Sequence, residues 1–493
     1  MSDPVHDLYQ SLVYPAMSHP STDPAVTAVA AKLAGLDITT PSRARVLEIG
    51  CASGHNLLPL AARWPDSRFT GIDFSKAAIE EARETSRLAG LKNIEFIETD
   101  LRTFNPEIGT SYDFIIAHGV YSWVPDDVRQ ALLDFCKARL SETGVAVISY
   151  NTLPGLSLQH TLVELTRQLS RRHESGFTGQ EPDEIFGILA MAAGNHTPYA
   201  RHLTHVLHDL FGKGGDALAF DDFGPINEPC TFLDFIDYTS RSGLRYLGES
   251  QLAEDCPGSL APEALEILKP LANDRYALQQ TIDVLTNRTF RSSLLCREDA
   301  PVHNRINPAT VLNFAVLCPH TFERTAGGVR LVSRAGGELT RFDQPLTMAF
   351  FSALSEFKPE TVPFHEIIVH MAEFLDKPFD VTRDLPSLAH LVMSSARQGL
   401  ISLRYEPVRF DRKPPAFPDL GPLRLLAARK GQPIVDPYHK PCLLDDERKQ
   451  QIAVAMDGTR LADDLATLAK SIAPDFDFQA WLRHLAQRGM FVS

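Results

Sequence analysis

Three carboxylates stand at the ends of short apolar runs in the first hundred residues: Glu48 in RVLEIG, Asp73 in RFTGID and Asp100 in IEFIETD. Behind Glu48 comes Gly50-Cys51-Ala52-Ser53-Gly54, a turn whose glycines let the backbone bend sharply and approach a ligand. A pyrophosphate at such a turn wants bare backbone N–H groups and no neighbouring anion. An acid there suits a ligand whose amino-acid end carries an ammonium. Asp73 lies 23 residues beyond Gly50, where nucleotide-binding folds place the acid that accepts both ribose hydroxyls. Asp100 is placed either to accept from an adenine amino group or to cap a turn. A strand-turn-helix without any ligand is the plainer alternative for the first motif, and the agreement of the later elements argues against it.

Those acids must be positioned by strands. Val46, Leu47 and Ile49 form an apolar run of the kind buried in a parallel sheet, and 69–72, 94–97, 112–117 and 145–150 repeat it. Helical stretches alternate with them: Ser75 caps one that closes at Gly90, and another begins after Pro125. Before the sheet, Asp23-Pro24 reads as a cap and first residue of a helix running to Gly35. The rhythm predicts an α/β class fold with a doubly wound, mostly parallel Rossmann-like sheet. Strands four and five deliver His118, Tyr121 and Trp123, then Tyr150 and Asn151, to the carboxyl edge. Aromatic walls of this kind suit a lysine stem. His118 has two readings, a proton relay or a hydrogen bond within its turn, and Tyr14 and His19 are candidates to close the site from the N-terminal side.

Residues 1–155 form the core unit. Residues 156–228 break the rhythm and read as a helical insertion over the carboxyl edge. Residues 229–300 supply a helix and two strands completing the sheet. Residues 301–493 contain a weak repeat, helices running into Gly399 and Gly489 and then an apolar strand, which predicts an α+β, winged-helix-like region joined by a proline-rich linker over 405–442. The histidines at 196, 202, 205 and 208 lack the companions of a metal site.

Composition bounds the rest. A 493-residue chain with 44% apolar residues is a multidomain globular protein. Seven scattered cysteines argue for a reducing cytoplasm. No run approaches the roughly 18 apolar residues that span a bilayer, and no secretory signal is visible at the start. A net charge of −14 disfavours nucleic-acid binding and is compatible with a cationic partner.

The segments LEIGCASGHNLLPLA, GIDFS, YDFIIAHGVYSWVP and ISYNTLPG together resemble the class I S-adenosylmethionine (SAM) methyltransferases, in the bacterial group that carries a methyltransferase regulatory domain. NEPCTFLDFIDYTSRSGLRYLGESQL is similar to that regulatory domain. The resemblance extends to bacterial protein-lysine methyltransferases and implies SAM as cofactor. Glu48, Gly50, Ala52, Gly54, Asn56, Asp73, Phe74, Asp100, Leu101 and His118 then form the cofactor side. His118, Tyr121, Trp123, Tyr150 and Asn151 form the acceptor side. Ala52 replaces the usual middle glycine, which bears on affinity rather than chemistry. A homodimer is also implied.

Methyl transfer from a sulfonium is an in-line displacement that needs positioning more than reactive side chains. If the acceptor is a lysine, its deprotonation at pH 7 costs roughly 4.6 kcal/mol, and a desolvated pocket beside a cation offsets part of that. A protein substrate is expected, a small molecule is the runner-up, and a non-catalytic SAM-binding scaffold is the third reading.

Overall fold

The computed structural model describes residues 14–492 apart from 108, 173–181, 212–221, 256–259, 261, 304–306, 326–327 and 334–335. Its centre is a seven-stranded sheet ordered β3-β2-β1-β4-β5-β7-β6. The strands are β1 Arg45–Ile49, β2 Arg68–Asp73, β3 Ile94–Glu98, β4 Tyr112–Ala117, β5 Leu140–Asn151, β6 Leu244–Glu249 and β7 Phe290–Arg297. β1 to β5 run parallel, while β7 is antiparallel to both β5 and β6. The last two strands therefore complete the sheet begun by the first five.

Local chemistry fixes the helices. Asp23 caps α1 (Pro24–Leu33) by accepting from Ala25 N–H at 2.9 Å, with Pro24 at the first position. After α2 (Leu58–Arg63), α3 (Lys76–Leu88) is capped by Ser75, and α4 (Asp126–Arg139) comes after β4. The insertion contributes α5 (Ser157–Arg172), α6 (Pro182–Ala193) and α7 (Pro198–Phe211). These helices pack around their own small core of Leu162, Phe186, Leu207 and Leu210. α8 (Phe232–Arg241) opens with a full capping box between Thr231 and Asp234, and α9 (Arg275–Thr286) backs β7.

The C-terminal third departs from a tandem winged-helix repeat. Its first module holds α10 (Pro345–Glu356), α11 (Phe364–Met371) and α12 (Val381–Arg397) around Phe350, Phe351, Phe364 and Val392. Beyond α12 the chain turns at Gly399 into a short strand, Ser402–Arg404. The second module holds α13 (Gly421–Arg429), α14 (Glu447–Val454), α15 (Ala462–Ile472) and α16 (Phe478–Gln487). Here Gly489 leads into Met490, which plugs a helical core instead of starting a strand. The stretch 405–442 is likewise more than a linker, since it contains α13 and a two-stranded ribbon pairing Ile434–Val435 with Pro441–Cys442.

These modules are welded to the first domain. Val29 and Leu33 of α1 are part of the first module's core. The buried Asp23 pairs with Arg404 at 2.6 Å and Arg63 at 2.8 Å. Burial works to raise the Asp23 pKa, but the two guanidiniums hold it well below the carboxylate range. The six described cysteines are free thiols, and Cys256 lies outside the described residues. Among the described residues no helix is long and apolar enough to cross a membrane.

Candidate active site

A cavity of about 540 Å³ opens at the carboxyl ends of β1, β2, β3 and β4. The parallel sheet produces it: neighbouring strands reverse their crossover direction at β1 and β4, and the loops diverge there. Of the residues read as a cofactor side, Glu48, Gly50, Ala52, Asn56, Asp73, Phe74, Asp100, Leu101 and His118 line this cavity. Gly54 does not. A Cβ on it would meet the Phe96 ring at 2.7 Å, so that glycine serves the packing of the turn on β3.

The turn after β1 holds three left-handed residues, Gly50 (φ 72°), Ala52 (φ 44°) and Gly54 (φ 79°). A Cβ at Gly50 would fall 2.7 Å from a Val120 methyl. Ala52 takes a conformation that normally favours glycine, and its N–H donates to Asp73 Oδ2 at 2.9 Å. Asp73 Oδ1 accepts from Ser75 N–H at 2.8 Å. The turn and the end of β2 thus fix one carboxylate between them. Asp100 accepts from the Arg102 backbone and is gripped by its guanidinium, which also reaches Asp127. That is the turn-capping arrangement among the two read for it.

Glu48 is buried. Its Oε1 accepts from Asn56 Nδ2 at 2.7 Å, and its Oε2 has no partner. Burial pushes its carboxyl up to about 8, with the Asn56 bond opposing and Asp73 adding to the rise. A buried carboxyl oxygen with nothing on it fits an incoming ammonium, so the donor set of this crevice suits the amino-acid end of SAM.

The acceptor side is smaller than the sequence suggests. His118 and Trp123 line the cavity. Tyr121, Tyr150 and Asn151 do not. β5 runs on to Asn151, so Tyr150 is still within the sheet, fully buried, with its ring stacked on Phe235 at 3.9 Å and its hydroxyl 3.1 Å from Ser293. Tyr121 packs edge-on against Phe235 at 5.3 Å, and Asn151 Nδ2 donates to Asn227 at 2.9 Å. The described residues of the insertion also contribute no wall to the cavity. Tyr14, Pro15, Met17 and His19 take that place. The ring of His19 lies 3.8 Å from that of His118, and His118 Nδ1 is buried without a partner. Burial holds His19 down to about 4 and pulls His118 well below its ordinary value, with His19 adding to the effect. Both imidazoles are therefore neutral at pH 7. Glu98 and Thr99 also line the cavity, and their place beside Asp100 at the end of β3 was the available signal for them.

Residues 46–144 match the methyltransferase domain family, and residues 215–297 match the family described as a predicted methyltransferase regulatory domain. An uncharacterized protein of Rickettsia prowazekii is 32% identical over 318 residues, 63% of this chain. The chain spans 56% of that relative's length. Trans-aconitate 2-methyltransferase of Escherichia coli O7:K1 is 33% identical over 240 residues, covering 49% of this chain and 81% of that enzyme. The structure of PKMT2 from Rickettsia typhi in complex with AdoHcy superposes with a TM-score of 0.83 at 22% identity, over 97% of this chain and all of that one. That likeness shows that the whole arrangement, C-terminal modules included, is a shared fold. With the sheet order, the carboxylate-lined turn and both family matches in agreement, the chain belongs to the SAM-dependent methyltransferases that carry a methyltransferase regulatory domain.

Proposed function

We propose that this protein transfers a methyl group from SAM to a side-chain amine of a protein, a lysine. SAM supplies an electrophilic methyl on a sulfonium. In this reading Glu48 takes the ligand's ammonium, Asp73 the ribose hydroxyls, and Phe74 and Leu101 flank the base. The acceptor enters past Tyr14, Met17 and Trp123, whose apolar surfaces suit an alkyl stem. The neutral His19 and His118 add no positive charge beside the entering amine.

The observation that carries the choice of acceptor is the charge of the cavity wall. Beside Glu48, which keeps its proton at pH 7, four acids line it: Asp73, Glu81, Glu98 and Asp100. Glu81 is paired with Lys430, and the one described arginine or lysine in the lining, Arg102, is already bonded to Asp100 and Asp127. Such a wall attracts a cation and repels a polycarboxylate. A small acid of the trans-aconitate kind is the competing substrate class, and it would need a free cation to hold it.

The test is incubation of the protein with methyl-labelled SAM and a bacterial lysate, with protein then separated from extractable metabolites. Label recovered as methyl-lysine after acid hydrolysis is the expected result. Label in extractable carboxylic acids would overturn the acceptor class. Tight AdoHcy binding with no label in any fraction would mark a sensor instead of an enzyme.

A further inference from the structure

Glu48 is oriented by Asn56, and one of the groups that orient Asn56 lies far from the cofactor domain. Its Nδ2 donates to Glu48 at 2.7 Å and to Thr22 Oγ1 at 3.0 Å. Its Oδ1 accepts from the His19 backbone N–H at 2.9 Å and lies 2.8 Å from His439 Nε2. The His19 N–H can only donate, so it fixes which end of the amide is oxygen. His439 Nε2 must then carry a hydrogen and donate as well. Its Nδ1 is left bare, buried and without a partner. Burial keeps this imidazole down to about 3, so the donor is a neutral ring.

His439 is 383 residues along the chain from Asn56 and is held in place by several bonds of its own. It is fully buried with φ 63°, in a tight turn at 436–440. Asp436 Oδ1 accepts from the backbone N–H groups of Tyr438 and Lys440, both at 2.9 Å. Arg488, at the end of α16, grips the other oxygen of Asp436 at 2.8 Å. The carbonyl of His439 accepts from Ser18 Oγ at 3.1 Å, tying the crevice's N-terminal wall to the same turn. A non-glycine residue in left-handed backbone, aimed at one amide across two modules, is a costly arrangement to keep without a use.

We propose that His439 is a positioning residue for the amino-acid end of the cofactor. It holds Asn56 with its amide nitrogen toward Glu48, so that the second C-terminal module forms part of the cofactor site. This rests on reading the cavity as a SAM site. Without His439 the amide oxygen keeps the His19 N–H but loses its imidazole donor, so the hold on the amide nitrogen that faces Glu48 is weakened.

The experiment is calorimetric binding of AdoHcy and of 5′-methylthioadenosine, which keeps the nucleoside but lacks the amino-acid end. His439→Asn suits left-handed backbone and is too short to reach Asn56. It is expected to weaken AdoHcy about tenfold, the loss of one buried hydrogen bond, and to leave methylthioadenosine unchanged. His439→Gln, whose amide N–H reaches as far as Nε2, should restore AdoHcy to within about threefold of wild type. His439→Ala provides the same comparison if the Asn variant does not fold. Unchanged AdoHcy affinity in both short variants, or equal loss for both ligands, would overturn the proposal. A wild-type protein that fails to bind AdoHcy at all would sink the reading of the cavity itself, which is a separate outcome.

Discussion

Two buried glutamates at the carboxyl edge of one sheet show how the same side chain serves different ends. Glu249, at the end of β6, accepts from Tyr246 Oη at 2.9 Å, Ser293 Oγ at 3.2 Å and Ser292 N–H at 3.2 Å, and is bonded to the guanidinium of Arg291. Arg291 is itself fully buried and bonded to Asp283 at 2.6 and 2.8 Å and to Gln279 at 3.0 Å. Arg288 adds a second cation on Asp283 at 3.2 Å, so every charge there has its opposite, and the cluster locks β6, β7 and α9 together. Glu48, at the end of β1, has one amide on one oxygen and nothing on the other. A carboxylate whose lone pairs are filled from within the chain is structure; one left short of donors is a receptor.

The contrast can be broken most forcefully at its satisfied end. Arg291→Met strands the buried Glu249, leaves Asp283 with Arg288 alone, and should cost about 3–5 kcal/mol of stability, read by denaturant unfolding. AdoHcy affinity of the protein that still folds should hardly change. At the receptor end the order reverses. Asp73→Asn removes charge from the pair of bonds meant for a ribose and should weaken AdoHcy by up to about a hundredfold, with little change in melting temperature. Full-strength binding by that variant would remove Asp73 from the site.

Glu48 sharpens the comparison through pH. The free protein holds this proton up to about pH 8, whereas the unfolded chain releases it near 4.5. Between those values the folded state alone binds the proton, so this group's contribution to stability falls as pH rises. Taking up an ammonium requires the carboxylate, so AdoHcy binding should release a proton at pH 7 and tighten as pH approaches 8. Calorimetry in buffers of different ionisation enthalpy measures that proton, and Glu48→Gln should abolish it. The smallest effect belongs to Ala52. Its left-handed backbone suits glycine, so Ala52→Gly should raise stability by about half a kcal/mol and leave affinity within about twofold.

Much of this architecture was legible because it is local. The strand-helix rhythm, the Asp23 and Ser75 caps, and the carboxylates at the ends of β1 and β2 each need only a few neighbouring residues to be recognised. The features that escaped reading depend on partners distant in the chain. Tyr150 ends an apolar run and invites placement in the crevice, but Phe235, 85 positions later, covers it. Gly54 looks like a ligand-facing glycine until Phe96 is seen beside it. The 405–442 stretch reads as a linker because its prolines are visible and the target of His439 is not. Gly399 and Gly489 show the same limit from the other side. They sit in similar sequence, yet only the first leads into residues that find a strand, Ala315–Leu317, to pair with.

The bond between Asn56 and His439 also sets a schedule. During synthesis the first five strands and the glycine turn emerge from the ribosome roughly 290 residues before the imidazole that completes their polar contacts. The carboxylates of the crevice are all made early, but the imidazole proposed to steady the methionine-derived end arrives only with the last quarter of the polypeptide. Under the role proposed for His439, the full hold on the methyl donor is reached only when the second C-terminal module is in place.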